Sequence, residues 1–139
     1  MENNKKIYVV SSYGGQYEDK WEHNECAFLT REAAQNFIIE KNAIANKVDN
    51  ELYDTISEFI CEKEEELWEL FYDIHTMELL PGKSEEEYNK MSQDFHDNGK
   101  YNLIKIRFNI DRETWDTAEY HHDWDFCDYS IDEIDFYEI

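Results

Sequence analysis

Carboxylates carry most of the chemistry this chain offers, and they recur at helical spacing. Asp54, Glu58, Glu62, Glu65 or Glu66, Glu69 and Asp73 follow one another in steps of three and four. On an α-helix such steps fall on one face. Each step rises about 4.5–6 Å, comparable with the spacing of successive phosphates along one DNA strand. Like charges four residues apart cost a helix about a few tenths of a kcal/mol per pair. Lys63 is the only basic residue between Asp49 and Asp73, so little offsets that cost. The stripe is either a binding face for a basic partner or a plainly solvated helix face, and the spacing admits both.

A second concentration lies at the C-terminal end. From Asp111 onward there are eleven acids, with Asp116, Glu119, Asp123, Asp125, Asp128, Asp132 and Asp135 among them, and Arg112 as the one cation. In a strand, residues i and i+2 share a face about 6.6–6.8 Å apart. Asp123 and Asp125 fit that spacing, with Trp124 between them as a candidate desolvated anchor.

Other chemistries fit less well. His121, His122 and Asp123, with Asp125 and Cys127 nearby, suggest a metal, but adjacent residues point in opposite directions on a strand and the spacing is not that of a zinc site. The run from Asp123 to Asp128 lacks the glycine and acceptor positions of a calcium loop. Carboxylate pairs are too abundant to single out an acid–base couple. No nucleophile elbow, P-loop or dinucleotide-binding glycine pattern occurs, and Gly14-Gly15 reads as a hairpin turn. No catalytic residue, metal-ligand set or cofactor is therefore expected. A small metal-dependent module around His121, His122 and Asp123 remains an alternative.

The elements that must position these residues follow from periodicity. Residues 6–13 (KIYVVSSY) predict a strand, and 26–29 (CAFL) a second, with 16–25 a loop or the far arm of a hairpin. Thr30 is an N-cap for a helix over 31–48, whose apolar side is Ala34, Phe37, Ile38, Ile44 and Ala45. Leu52, Ile56, Phe59, Ile60, Leu67, Leu70, Phe71 and Ile74 predict helix over 49–80, ended by Pro81-Gly82. Whether 31–48 and 49–80 are continuous is left open. Ser84 and Glu87 form a capping box for a short helix that Asn98-Gly99 would close. Ile104, Ile106, Phe108 and Ile110 alternate with polar residues and predict a strand. A loop follows Asp111, then short strands around Trp124 and Phe126 and around 134–137. The expected class is α+β, a single domain over 1–139, in the order β-β-α-α-α-β-β-β. The sheet is expected to be mixed or mainly antiparallel, with two or three helices on one face.

Composition bounds the reading. The chain has 139 residues and a formal net charge of −21, yet 41% of it is apolar and 16% aromatic. That apolar content supports a packed core and excludes a disordered acidic tail. Direct contact with nucleic acid or an anionic membrane is disfavoured, because phosphates need cations. A basic protein partner is favoured. Cys26, Cys61 and Cys127 are far apart and odd in number, so free and mostly buried thiols in a reducing cytosol are expected. No stretch reaches the roughly 18 apolar residues of a membrane span.

With its size, its charge, the Asp54–Asp73 stripe and the acid-aromatic end DWDFCDYSIDEIDFYEI, the chain resembles the small acidic anti-defence proteins of phages and mobile elements. These are DNA mimics of the anti-CRISPR or anti-restriction type. The resemblance is one of properties. It implies a non-enzymatic inhibitor working in the host-cell cytoplasm on a basic nucleic-acid-binding protein, such as a CRISPR effector like Cas9 or another nuclease. The same physics would serve an immunity protein that neutralises a basic nuclease toxin.

Overall fold

The computed structural model describes residues 4–15, 20–122 and 126–137. Elements run β1 (Asn4–Gly14), β2 (Trp21–Phe28), α1 (Arg31–Ala45), α2 (Asn50–Glu69), α3 (Glu85–Asp94), a π-helical segment (Phe95–Gly99), α4 (Lys100–Phe108), α5 (Arg112–His122) and β3 (Phe126–Tyr137). The class is α+β. The chain forms two compact units, Met1–Asp49 with Thr114–Ile139, and Asn50–Glu113.

The first unit is built on a three-stranded antiparallel sheet in the order β2-β1-β3. β1 is central because its β-branched and small residues tolerate burial on both sides; Val10, Ser11 and Ser12 are fully buried. Directly opposed residues share a face, so Tyr8 aligns with Phe28 and Glu133, and Ser12 with Tyr129. Helix α1 packs on that face, with the Phe37 ring against Phe28 (5.5 Å) and Tyr129 (6.4 Å). The side chain of Thr30 accepts from the Ala33 amide at 3.1 Å, the expected cap. Helix α5 approaches the same face through Tyr120, which meets Ser12. Ala34, Ala45, Val48, Thr114, Trp115 and Ala118 are buried with them.

The second unit is helical, with α2 packed on α3 and α4 and with Ile56, Ile60, Phe71, Ile104 and Ile110 buried. The side chain of Ser84 caps α3 by accepting from the Glu87 amide at 3.1 Å. The stretch predicted as one helix over 49–80 ends at Glu69. Beyond it the chain turns back through an isolated Tyr72–Leu79 bridge. Asp73 Oδ1 stabilises that turn by accepting from the amides of His75 and Thr76, each at 2.8 Å. Met77 takes a left-handed φ of 64° there. Helices α1 and α2 are separate, divided by a turn over 46–49.

Several expectations are corrected. Residues 104–108 are helical, and no strand forms at Ile104–Ile110. Ile104 is 0% exposed while Ile106 is 81% exposed, so only the residues spaced for a helix reach the core. A strand needs a ladder partner for its amides, whereas a helix satisfies them within itself, and this unit offers no sheet edge among the described residues. Asn98-Gly99 does not close α3. Gly99 has a right-handed φ of −58° and the helix runs on through the π segment. Termination falls instead to Asn109 (φ 57°), whose amide donates to the Lys105 carbonyl. The loop expected after Asp111 is helix α5. The two short C-terminal strands are one strand, β3. The three thiols, expected to be mostly buried, are all exposed.

Candidate partner-binding surfaces

On α2 the acidic residues stand opposite the packed side. At about 100° per residue, Asp54, Glu58, Glu62, Glu65 and Glu69 fall within an arc of roughly 80°. Ile56, Ile60 and Leu67 lie across the helix axis from them. All five carboxylates are exposed, and among the described residues none makes an ion pair. From Asp54 to Glu69 the row extends about 22 Å at 1.5 Å per residue. Glu66, also exposed, lies beside this arc and binds Lys63 at 3.2 Å. Asp73 does not belong to the row. Its carboxyl is held in the turn, below the usual carboxylate range, by the backbone hydrogen bonds from Thr76 and His75.

Five cations of this unit lie against aromatic rings instead of the row. Lys63 and Arg107 lie over the Phe59 ring, Lys83 over Phe71, and Lys100 and Arg112 over Tyr101. The closest of these is Arg112, at 4.1 Å from the ring centre. Arg112 also donates to the Asp97 carbonyl at 3.1 Å. Cation–π contacts of this kind are worth about 0.5–1 kcal/mol at exposed sites, and they leave the carboxylates of α2 facing water.

In the sheet unit the predicted acids are placed differently. Asp116 and Glu119 lie on α5, the first exposed and the second half-buried. Asp128, Asp132 and Asp135 are exposed on β3. Asp128 and Asp132 share a sheet face but stand four residues apart, about 13 Å, and Asp135 lies on the other face. Glu133 and Asp135 have the two-residue spacing, but Glu133 is already engaged. It binds Lys6 at 3.0 Å, Arg31 at 3.8 Å and the Tyr8 hydroxyl at 3.2 Å. The hydrogen bond from Lys6 is the main reason its carboxyl titrates below the ordinary range. Asp123, Trp124 and Asp125 lie outside the described residues.

A polar network that residue spacing did not reveal links β1, β2, α5 and β3. Ser12 Oγ donates to Glu25 Oε1 at 2.6 Å and lies 2.5 Å from the Tyr120 hydroxyl, which also reaches Glu25 at 3.2 Å. His121 Nε2 and the Tyr129 hydroxyl are 2.9 Å apart. Burial, reinforced by His122, lowers the His121 pKa, and burial raises that of Tyr129. Both shifts favour the neutral forms, a protonated phenol beside a neutral imidazole. The His121 ring also stacks on Phe126 with centres 4.0 Å apart. His122 Nε2 donates to the Val48 carbonyl at 3.0 Å. Both histidines are thus occupied in packing, and no group of three or more His, Cys, Asp or Glu converges among the described residues. Beside the network, Glu25, Lys41, Asp116 and Tyr120 line a cleft of about 190 Å³. Ser12 is fully buried, and its bonds hold α5 on the sheet.

No protein-family model, curated protein or solved structure matches this chain.

The helical unit also carries an apolar groove of about 670 Å³ between α2, α3, the π segment and α4. Of its lining, Leu67 and Leu70 belong to the apolar pattern that predicts helix over 49–80. No helix among the described residues is long and apolar enough to cross a membrane.

Proposed function

We propose that the chain is a non-enzymatic inhibitor whose α2 carboxylates occupy the Lys/Arg-lined nucleic-acid groove of a host defence protein, either a CRISPR effector such as Cas9 or a restriction enzyme. The observation that supports this most is the unpaired, exposed row from Asp54 to Glu69. A rigid helix holds five carboxylates at phosphate-like steps while Lys63, Lys83, Lys100, Arg107 and Arg112 lie on aromatic rings. The arrangement costs helix stability, and occupation by a basic groove would offset that cost. Steering between such surfaces makes association fast and sensitive to salt.

The test is cleavage of target DNA by a Cas9–guide complex, and in parallel by a restriction enzyme, titrated with the protein. Reversing Glu58, Glu62 and Glu69 to Lys is expected to weaken inhibition by at least about a hundredfold, equivalent to roughly 2.7 kcal/mol. Circular dichroism of the triple variant is expected to be unchanged. Undiminished inhibition by that variant would remove α2 from the mechanism.

A further inference from the structure

We infer that the open edge of β3 takes an extended, Lys- or Arg-bearing segment of a partner protein as a fourth strand of the sheet. This surface is separate from α2 and does not depend on the reading of that helix. In the order β2-β1-β3, β1 is paired on both sides, and β3 on one side among the described residues. In an antiparallel pair, alternate residues turn their amide and carbonyl away from the partner strand. About half the backbone groups of β3 therefore face outward without a ladder partner, the template that strand addition uses.

The two edges of the sheet differ. β2 has eight residues, and its pairing with β1 slips between Val10 and Ser11, leaving Glu25 as the extra residue of a bulge. A bulge bends and twists a strand and so protects an edge. β3 has twelve residues, contains no Pro or Lys, and keeps an unbroken register from Asn4↔Tyr137 to Tyr13↔Asp128. Asp128, Asp132, Glu133, Ile134 and Asp135 are exposed along it.

Charge and register select the occupant. β3 carries four acids and no Lys or Arg. A second copy of the strand offers those acids no cation, and like charges set opposite one another destabilise a strand pair. Lys6 and Arg31 converge on Glu133, and Lys6 also acts on Asp135, so the available cations gather at that end. Further along, Asp132 is aligned with Val9 and Asp128 with Tyr13, and β1 supplies no charge there. Asp128 Oδ1 accepts from the Tyr129 amide at 2.7 Å. Asp128 and Asp132 lie on the face away from Tyr129, whereas α1 and α5 pack on the Tyr129 side. They stand four residues apart, about 13 Å, so an added strand meets both with cations at i and i+4. The segment must be extended, because a helix has already spent the amides that a ladder needs.

The experiment uses the full chain labelled with 15N. The probe is a Thr/Val peptide of about nine residues, roughly 30 Å when extended, with Lys at i and i+4. Saturable movement of the β3 amides is expected, with those of α2 still. A peptide with Lys at i and i+3, which fall on opposite faces, is expected to bind at least about tenfold more weakly, or 1.4 kcal/mol. The same loss is expected when Glu replaces Lys. N-methylation of alternate peptide amides is expected to abolish binding along one edge of the peptide and to spare it along the other. Asp128→Lys with Asp132→Lys, both at exposed positions, is expected to weaken the first peptide at least about tenfold, with circular dichroism unchanged. Equal binding of the i,i+3 peptide, equal effects of methylation on the two edges, or no saturable shift would overturn strand addition. Equal binding of the Glu peptide, or a protein dimer that the peptide dissociates in sedimentation, would overturn the basic occupant. The Glu58, Glu62 and Glu69 reversals are expected to leave this binding unchanged. Its loss in that variant would overturn the assignment to β3 and move the peptide to α2.

Discussion

Two acidic regions of this molecule engage their carboxylates to different degrees. In the sheet unit, two carboxylates are used internally: Glu25 accepts from Ser12 and Tyr120, and Glu133 joins Lys6, Arg31 and Tyr8. On α2, five carboxylates point outward with no ion pair among the described residues, and Lys63, Lys83, Lys100, Arg107 and Arg112 of that unit lie on aromatic faces. The difference shows that a count of acids does not measure the acidic surface open to a partner. What matters is which carboxylates the fold has already engaged. The helix makes the better candidate face because its side chains radiate away from backbone groups that need nothing further. The sheet brings a neighbouring strand and a helix within reach of Glu25 and Glu133.

The contrast can be broken at the cores first. Ile104→Ala is expected to cost about 2–5 kcal/mol in urea unfolding, and Ile106→Ala no more than about 0.5 kcal/mol. Equal losses at the two positions would restore the strand reading. The next largest effect is in the sheet unit. Ser12→Ala removes the hydroxyl between Glu25 and Tyr120 and is expected to cost about 1–3 kcal/mol, measured in the same way. No loss would make Glu25 as free as any acid on α2.

A smaller effect is expected from His121, whose folded pKa lies below its ordinary value through burial and the nearby His122. The unfolded chain then takes up the proton first. The stability this residue contributes is full above about pH 6.5 and is lost as pH falls through the folded value. The groups around it are Tyr129, Phe126, His122, Asp128, Glu25 and Lys41. Replacing His121 with Asn should flatten the fall in melting temperature between about pH 6.5 and pH 5. An unchanged profile would place the pH sensitivity elsewhere. The smallest effect is on α2 itself. Glu62→Gln relieves like-charge contacts with Glu58 and Glu66 and should stabilise by about a few tenths of a kcal/mol, a gain that added salt should erase. A loss on that substitution would show Glu62 to be engaged within the fold.

Capping chemistry was legible in the sequence. Thr30 and Ser84 cap α1 and α3 as their spacing predicts, because an N-cap depends on residues within one turn. The acidic row on α2 was legible for the same reason. The extent of α2 was misread through Asp73, whose spacing fits the helix but whose carboxylate stabilises a turn instead. The alternation from Ile104 to Ile110 was misread because period two can be drawn through residues that also satisfy a four-residue step, Ile104 with Phe108. The Ser12–Glu25–Tyr120 network left no local signal, since Ser12 and Tyr120 lie 108 residues apart in sequence.

The sequence by itself determined the charge, the apolar share needed for a core, the α+β class, the helix caps and the set of carboxylates on one face of α2. Each follows from composition or from neighbours within a turn. Tertiary structure decided which acids remain available, that the 104–108 segment is helical, that the thiols face water, and that Met91, Phe95 and Leu103 leave a groove rather than close it. Those outcomes turn on which distant side chains meet, and a local pattern carries no record of that.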